Sequence, residues 1–247
     1  MSGPISCQWW ISGPVSCQWY AFNGMVFGIG SIGFLVSISF DRYNMTCRYR
    51  SFIEMKPIYY VLASFLIWLN AALWAAAPLV GWGCYGIDPS GTACGLTWKC
   101  GWIKHATYTV SVFFLCFCLP CGIIIYCYTK TYQFISFLGG NSRNDSNEWT
   151  HQKEITRMCA VAIVLFIVAW TPYAIVFLWA TFGDPTEIPV FITASPALFA
   201  KSSACYNPFI YALMNRRYRM AIKQLFKCGG KMSEEEQLEL NRINGRI

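Results

Sequence analysis

Five apolar runs, each about as long as a bilayer is thick when coiled into a helix, constrain this 247-residue chain more than any other feature. They fall at residues 20–40, 58–80, 106–128, 158–181 and 190–214. A backbone in hydrocarbon must satisfy its own hydrogen bonds, and runs of this length do so as helices. The expected fold class is therefore an all-α membrane protein, a multi-pass helical bundle over residues 20–214. Residues 215–228 read as a short amphipathic helix after the last span, and 229–247 as a tail. The start of the chain lacks the basic stretch and short apolar core of a cleaved signal peptide.

Charge is sparse, 13% of residues, and its placement is informative. The net +7 is no nucleic-acid footprint, because the basic residues gather beside spans: Arg42, Arg48, Arg50 and Lys56 after the first, and Arg216, Arg217, Arg219, Lys223 and Lys227 after the last. Between the fourth and fifth spans lie only Asp184 and Glu187. The positive-inside tendency then puts the carboxyl terminus in the cytoplasm and the amino terminus outside. The partners this implies are membrane lipids. Arg216 to Lys227 would lie on the inner leaflet, with Cys228 a candidate for palmitoylation.

Residues 1–19 are expected to be extracellular and are internally duplicated: Ser2 to Trp10 returns, nearly unchanged, as Ser12 to Tyr20. One tandem copy of this length is too little for a solenoid. Six of the 13 cysteines lie in spans, where cysteine packs as a small hydrophobe. Cys17 and Cys94 are on the outer side, where a disulfide persists and would pin the loop before the third span. Cys7, Cys84 and Cys100 compete as partners, and spacing does not choose among them.

The fifth run holds an amine, Lys201, at its centre. At about 1.5 Å per residue the nearer helix end is roughly 15 Å away, beyond the reach of a lysine stem. A lysine at such depth costs a few kcal/mol unless neutralised or paired, which asks for a function. Apolar surroundings favour the neutral amine, and that is the nucleophile that condenses with aldehydes. Six residues on, Asn207, Pro208 and Tyr211 share a proline-bent segment, and Trp170 and Tyr173 flank Pro172 in the fourth run. Asp41, Arg42 and Tyr43 close the first run.

Together these residues resemble the rhodopsin class of G protein-coupled receptors, and within it the opsins. The likeness runs from Cys17 to about Cys228. It is carried by Asp41-Arg42-Tyr43, Trp68 before Pro78-Leu-Val-Gly-Trp82, Pro120 before Tyr128, Trp170-Thr-Pro-Tyr173 before Phe199-Ala-Lys201, and Asn207-Pro-Phe-Ile-Tyr211. Asp88-Pro-Ser-Gly-Thr-Ala-Cys94, Phe182-Gly-Asp-Pro and Leu198-Phe-Ala-Lys-Ser-Ser203 are similar to the pigment-epithelium branch.

The resemblance implies a rhodopsin-like bundle of seven helices, of which this chain carries five and lacks the first two. It implies retinal, all-trans or 11-cis, as a covalent Schiff base on Lys201, walled by Met25, Gly28, Phe117, Trp170 and Tyr173. A protonated imine needs a nearby anion, and Tyr20 stands where visual pigments carry a glutamate, so Asp88 is the expected counterion with Tyr20 beside it. Tyr128, Asn207, Pro208 and Tyr211 would join Asp41, Arg42 and Tyr43 in activation and coupling to a heterotrimeric G protein. The same resemblance admits a retinal photoisomerase. Lys201 opposes a receptor for a diffusible ligand; a truncated chain unable to hold retinal is the remaining alternative.

Some residues depart from the family pattern. Gln152 stands where many such receptors have an acid that holds the arginine at rest, and Glu154 would face another way. Asn215-Arg216-Arg217 differs from the segment that visual pigments present to their G protein, and Ser233 is the only hydroxyl residue beyond Cys228. Asn44-Met-Thr46 and Asn144-Asp-Ser146 match the glycosylation pattern but fall on the expected cytoplasmic side.

Overall fold

The computed structural model describes residues 13–47, 56–87, 93–97, 101–141, 147–183, 189–214 and 219. Asp88, Cys7, Cys100, Asp184, Glu187, the 215–228 helix (Arg219 apart), Cys228 and the tail lie outside the described residues.

Helix α1 spans Pro14–Cys47. It starts earlier than the apolar run, inside the second copy of the duplicated segment, because Gly13 at φ +82° turns the chain and Pro14 presets the first helical φ. The Ser16 hydroxyl donates to Gly13 O at 2.8 Å. Helix α2 spans Pro57–Ala76, again with proline in the first turn, and tightens into a 3-10 turn over Ala77–Val80. Gly81, at φ +97°, ends that turn in the left-handed region.

Next comes a two-stranded antiparallel hairpin, β1 Tyr85–Ile87 and β2 Cys94–Leu96, with Tyr85 opposite Leu96 and Ile87 opposite Cys94. Helix α3 (Trp102–Val112) runs through a π-helical segment, Phe113–Cys118, into α4 (Leu119–Asn141). Pro120 sits just after that segment, where its missing N–H frees a carbonyl that the widened turn absorbs. Helix α5 spans Asn147–Phe182 around Pro172, and α6 spans Val190–Met214 around Pro196 and Pro208.

Four of these stretches, Pro14–Cys47, Pro57–Val80, Trp102–Phe137 and Lys153–Phe182, are long and apolar enough to cross a membrane. Only 11% to 22% of each apolar window is buried inside the protein, so their greasy surface faces outward, as lipid requires. The chain is a multi-pass helical bundle whose described helices present apolar surface of membrane-spanning length.

α1 is central, packing on α2, on α4 and under the hairpin, while α6 lies along α5. Small residues permit the close approaches. Gly30 meets Trp68 of α2, and a Cβ at Gly33 would stand 2.8 Å from Ile67 Cγ2. Two buried clusters fill the disulfide end: Cys17, Ala21, Tyr85 and Cys94, then Ile29, Ala71 and Cys116, with Met25 packed against both. Tyr85 and Tyr108 each donate at 2.8 Å to a carbonyl at the end of α2, to Ala75 O and Trp74 O respectively.

Candidate functional site around Lys201

Lys201 projects from α6 toward α1. Its Nζ donates to Tyr20 Oη at 2.6 Å and lies 4.8 Å from the centre of the Tyr20 ring. The structure corrects the expectation that this amine is enclosed, because Lys201 is exposed. α6 packs chiefly on α5, so one flank of the lysine has no described helix over it. A phenol oxygen and an aromatic face, instead of a fully apolar sheath, meet the amine there.

Two residues along α6, Ser203 Oγ accepts a 3.2 Å bond from Trp170 Nε1. This ties the proline-bent stretch of α5 to the lysine-bearing turn. Trp170 stacks on Phe166 and meets Tyr173 edge-on with ring centres 6.0 Å apart. Tyr173 stacks in turn on Phe177, which meets the buried His105 of α3. His105 shares a 3.3 Å hydrogen bond with Thr181. An aromatic ladder thus climbs α5 from the lysine level to the hairpin end.

Gly28 is the counterpart of this ladder on α1: a Cβ there would lie 2.8 Å from Trp170 Cη2. Met25 is three residues away on the same helix face, packed against both buried clusters. Tyr20 on Lys201 and Gly28 on Trp170 thus join α1 to α6 and α5, with Tyr173 against Trp170. Phe117 lies in the π-helical segment, and its ring stacks on Phe113 at 6.0 Å instead.

The disulfide forms between Cys17 and Cys94, with Cα atoms 5.4 Å apart. Of the competitors, Cys84 is itself disulfide-bonded and does not take Cys17 or Cys94. Tyr20 is one helical turn from Cys17, so the bond brings the hairpin to the lysine's partner. Burial, with a smaller contribution from Tyr173, pushes the Tyr85 phenol in β1 well above the usual tyrosine range.

At the other end of α1, Arg42 Nη2 bonds Asp41 Oδ2 at 2.5 Å, the one ion pair among the described residues. Tyr43 tilts against Tyr126 of α4, ring centres 6.4 Å apart. The Tyr128 hydroxyl is buried, with the Cys159 thiol of α5 beside it. Asn207 and Tyr211 lie on α6 around Pro208, where only the helical backbone is described. Sequence reasoning missed Tyr60, whose hydroxyl donates to Asp41 Oδ1 at 2.9 Å, and also the Trp170–Ser203 and His105–Thr181 bonds. None of these pairs has a spacing that announces it.

Residues 5–211 match the family model of the 7 transmembrane receptor (rhodopsin family). The chain belongs to that family. Its relatives are opsins: it is 36% identical over 214 residues to the visual pigment-like receptor peropsin of Homo sapiens, covering 85% of this chain and 63% of that protein. It is 32% identical over 257 residues to human Opsin-5, covering 96% of this chain and 68% of that protein. The crystal structure of squid rhodopsin superposes with a TM-score of 0.79 at 29% identity, over 94% of this chain and 71% of that one. The chain thus spans somewhat under two thirds of the length of the peropsins it matches.

Proposed function

We propose that this chain is an opsin photopigment in which Lys201 carries retinal as a Schiff base. The observation that supports this most is the Lys201–Tyr20 hydrogen bond beside a Trp170 ring that only a glycine at position 28 accommodates. Those residues suit a rigid, flat, apolar aldehyde: an amine to condense with it, aromatic rings to flank it and a missing side chain for clearance. When bound, retinal would supply light absorption and a change of shape on isomerisation.

The protein's own residues would do the rest. Tyr20 orients the Lys201 nitrogen, and Trp170 and Tyr173 report the shape of the group beside them to α5. Asp88 comes directly after Ile87, which pairs with Cys94, itself bonded to Cys17 one turn from Tyr20. Those flanking residues favour Asp88 as the anion that holds the nitrogen's proton. Shifting α5 against α6 would be a population shift between two helix arrangements. With the carboxyl terminus in the cytoplasm, the Asp41 end faces a heterotrimeric G protein, and Arg42 leaves Asp41 as it docks.

A second reading, a photoisomerase that takes all-trans-retinal and releases the 11-cis form, draws support from the likeness to peropsin and from the exposure of Lys201. The test is extraction of retinal from the loaded chain before and after illumination, with nucleotide exchange measured in parallel. Light-dependent exchange supports signalling, and multiple turnovers from all-trans to 11-cis support the isomerase. Borohydride reduction in the dark that leaves Lys201 unlabelled overturns both.

A further inference from the structure

We propose that Tyr60 of α2 is a positioning residue for the resting state, holding Asp41 so that Asp41 can hold Arg42. Neighbours in a helix point about 100° apart and do not face each other, so an ion pair between positions 41 and 42 is not one that α1 makes unaided. The Asp41 carboxylate must be drawn across the helix surface toward Arg42 and kept there. Tyr60 does this from outside: its hydroxyl donates to Oδ1 at 2.9 Å, while Oδ2 takes Arg42. Both carboxylate oxygens are thereby committed.

The Asp41 and Arg42 side chains are 15% and 20% exposed, so water competes little for the pair. Glu154 on α5 is exposed, and among the described residues Arg42 has no second acid. The link between the Arg42 clasp and a neighbouring helix is therefore a neutral phenol on α2. A hydrogen bond of a phenol to a carboxylate is charge-assisted, stronger than one between neutral groups.

This proposal rests on the reading that release of Arg42 accompanies G protein docking, and the test separates the two. Tyr60→Phe in the membrane-embedded chain is compared with the parent and with Tyr59→Phe, an exposed neighbour. Dark nucleotide exchange is expected to rise about three- to tenfold in Tyr60→Phe alone, with the illuminated rate unchanged. In chain labelled with carbon-13 aspartate, the dark carboxylate stretch is expected to shift in Tyr60→Phe and not in Tyr59→Phe. An unshifted band, or a dark rate equal to the parent's in a chain that does signal, overturns the proposal. A parent without light-dependent exchange defeats the signalling reading instead, and the infrared band then decides the tether by itself.

Discussion

Lys201 Nζ and Tyr20 Oη meet at 2.6 Å across 181 positions of sequence, joining the last helix to the first described one near the disulfide. The Tyr20 hydroxyl orients the nitrogen by accepting its hydrogen bond, and it is not the carboxylate proposed as counterion. Tyr20→Phe should therefore leave Lys201 reducible by borohydride in the retinal-loaded chain and move the visible band only modestly. Asp88→Asn should act differently. If Asp88 is the counterion proposed above, its loss should lower the pH at which a protonated linkage converts to its near-ultraviolet form, by about two units or more. Absorbance titration of the two variants checks both statements.

Gly28→Ala places a methyl 2.8 Å from Trp170 Cη2, closer than carbon atoms tolerate. Either the ring or α1 must shift, at a cost of about 1–3 kcal/mol. Trp170→Phe in the same chain removes the colliding atom. Thermal unfolding of the two single variants and the double variant should show a favourable coupling, the double being more stable than the sum of the singles predicts.

Cys94→Ser removes the bond that anchors the hairpin to α1. Loss of a native disulfide of this kind costs about 2–5 kcal/mol. Cys17→Ser should match it, and the double variant should be no worse than either single, because one bond is at stake. Melting curves with and without reductant provide the comparison.

Tyr85 gives the fold an alkaline limit. Its phenol donates to Ala75 O, and burial raises its pKa, so the folded protein keeps a proton that the unfolded chain releases near the ordinary value of about 10. The stability this contributes is complete below that pH and is lost as pH rises through the raised folded value. Tyr85→Phe should be less stable than the parent at neutral pH by about 1 kcal/mol and should show a weaker decline between pH 9 and about 12. Urea melts across that range measure it.

Much of the architecture is legible in the residues because lipid imposes a length and a polarity on each helix. The apolar runs locate the helices, yet α5 begins at Asn147 and not at 158, since hydropathy marks the lipid-immersed part and a helix continues past it. Similarly, α1 begins at Pro14 within a segment that reads as a duplicated extracellular stretch. At the site, Lys201, Cys17 and Trp170 stand out because their chemistry is costly or distinctive where they lie. Tyr60, Ser203 and His105 do not stand out. Their roles come from partners on other helices, and a hydroxyl or imidazole in a span has no periodicity of its own. The exposure of Lys201 was equally hidden, because residue type reports what a position needs and not which neighbour supplies it.

The π-helical segment at Phe113–Cys118 also sets the rotational phase of α4. Each residue turns a helix by about 100°, so the same residues coiled regularly, with the extra residue of the widened turn no longer taken up, would swing the whole of α4 by about that angle. Tyr128, whose hydroxyl now points into the interior, would then be carried around toward lipid, and Tyr126 would lose its contact with Tyr43. The single widened turn thus acts as the keying that lets one end of the molecule be aligned with the other.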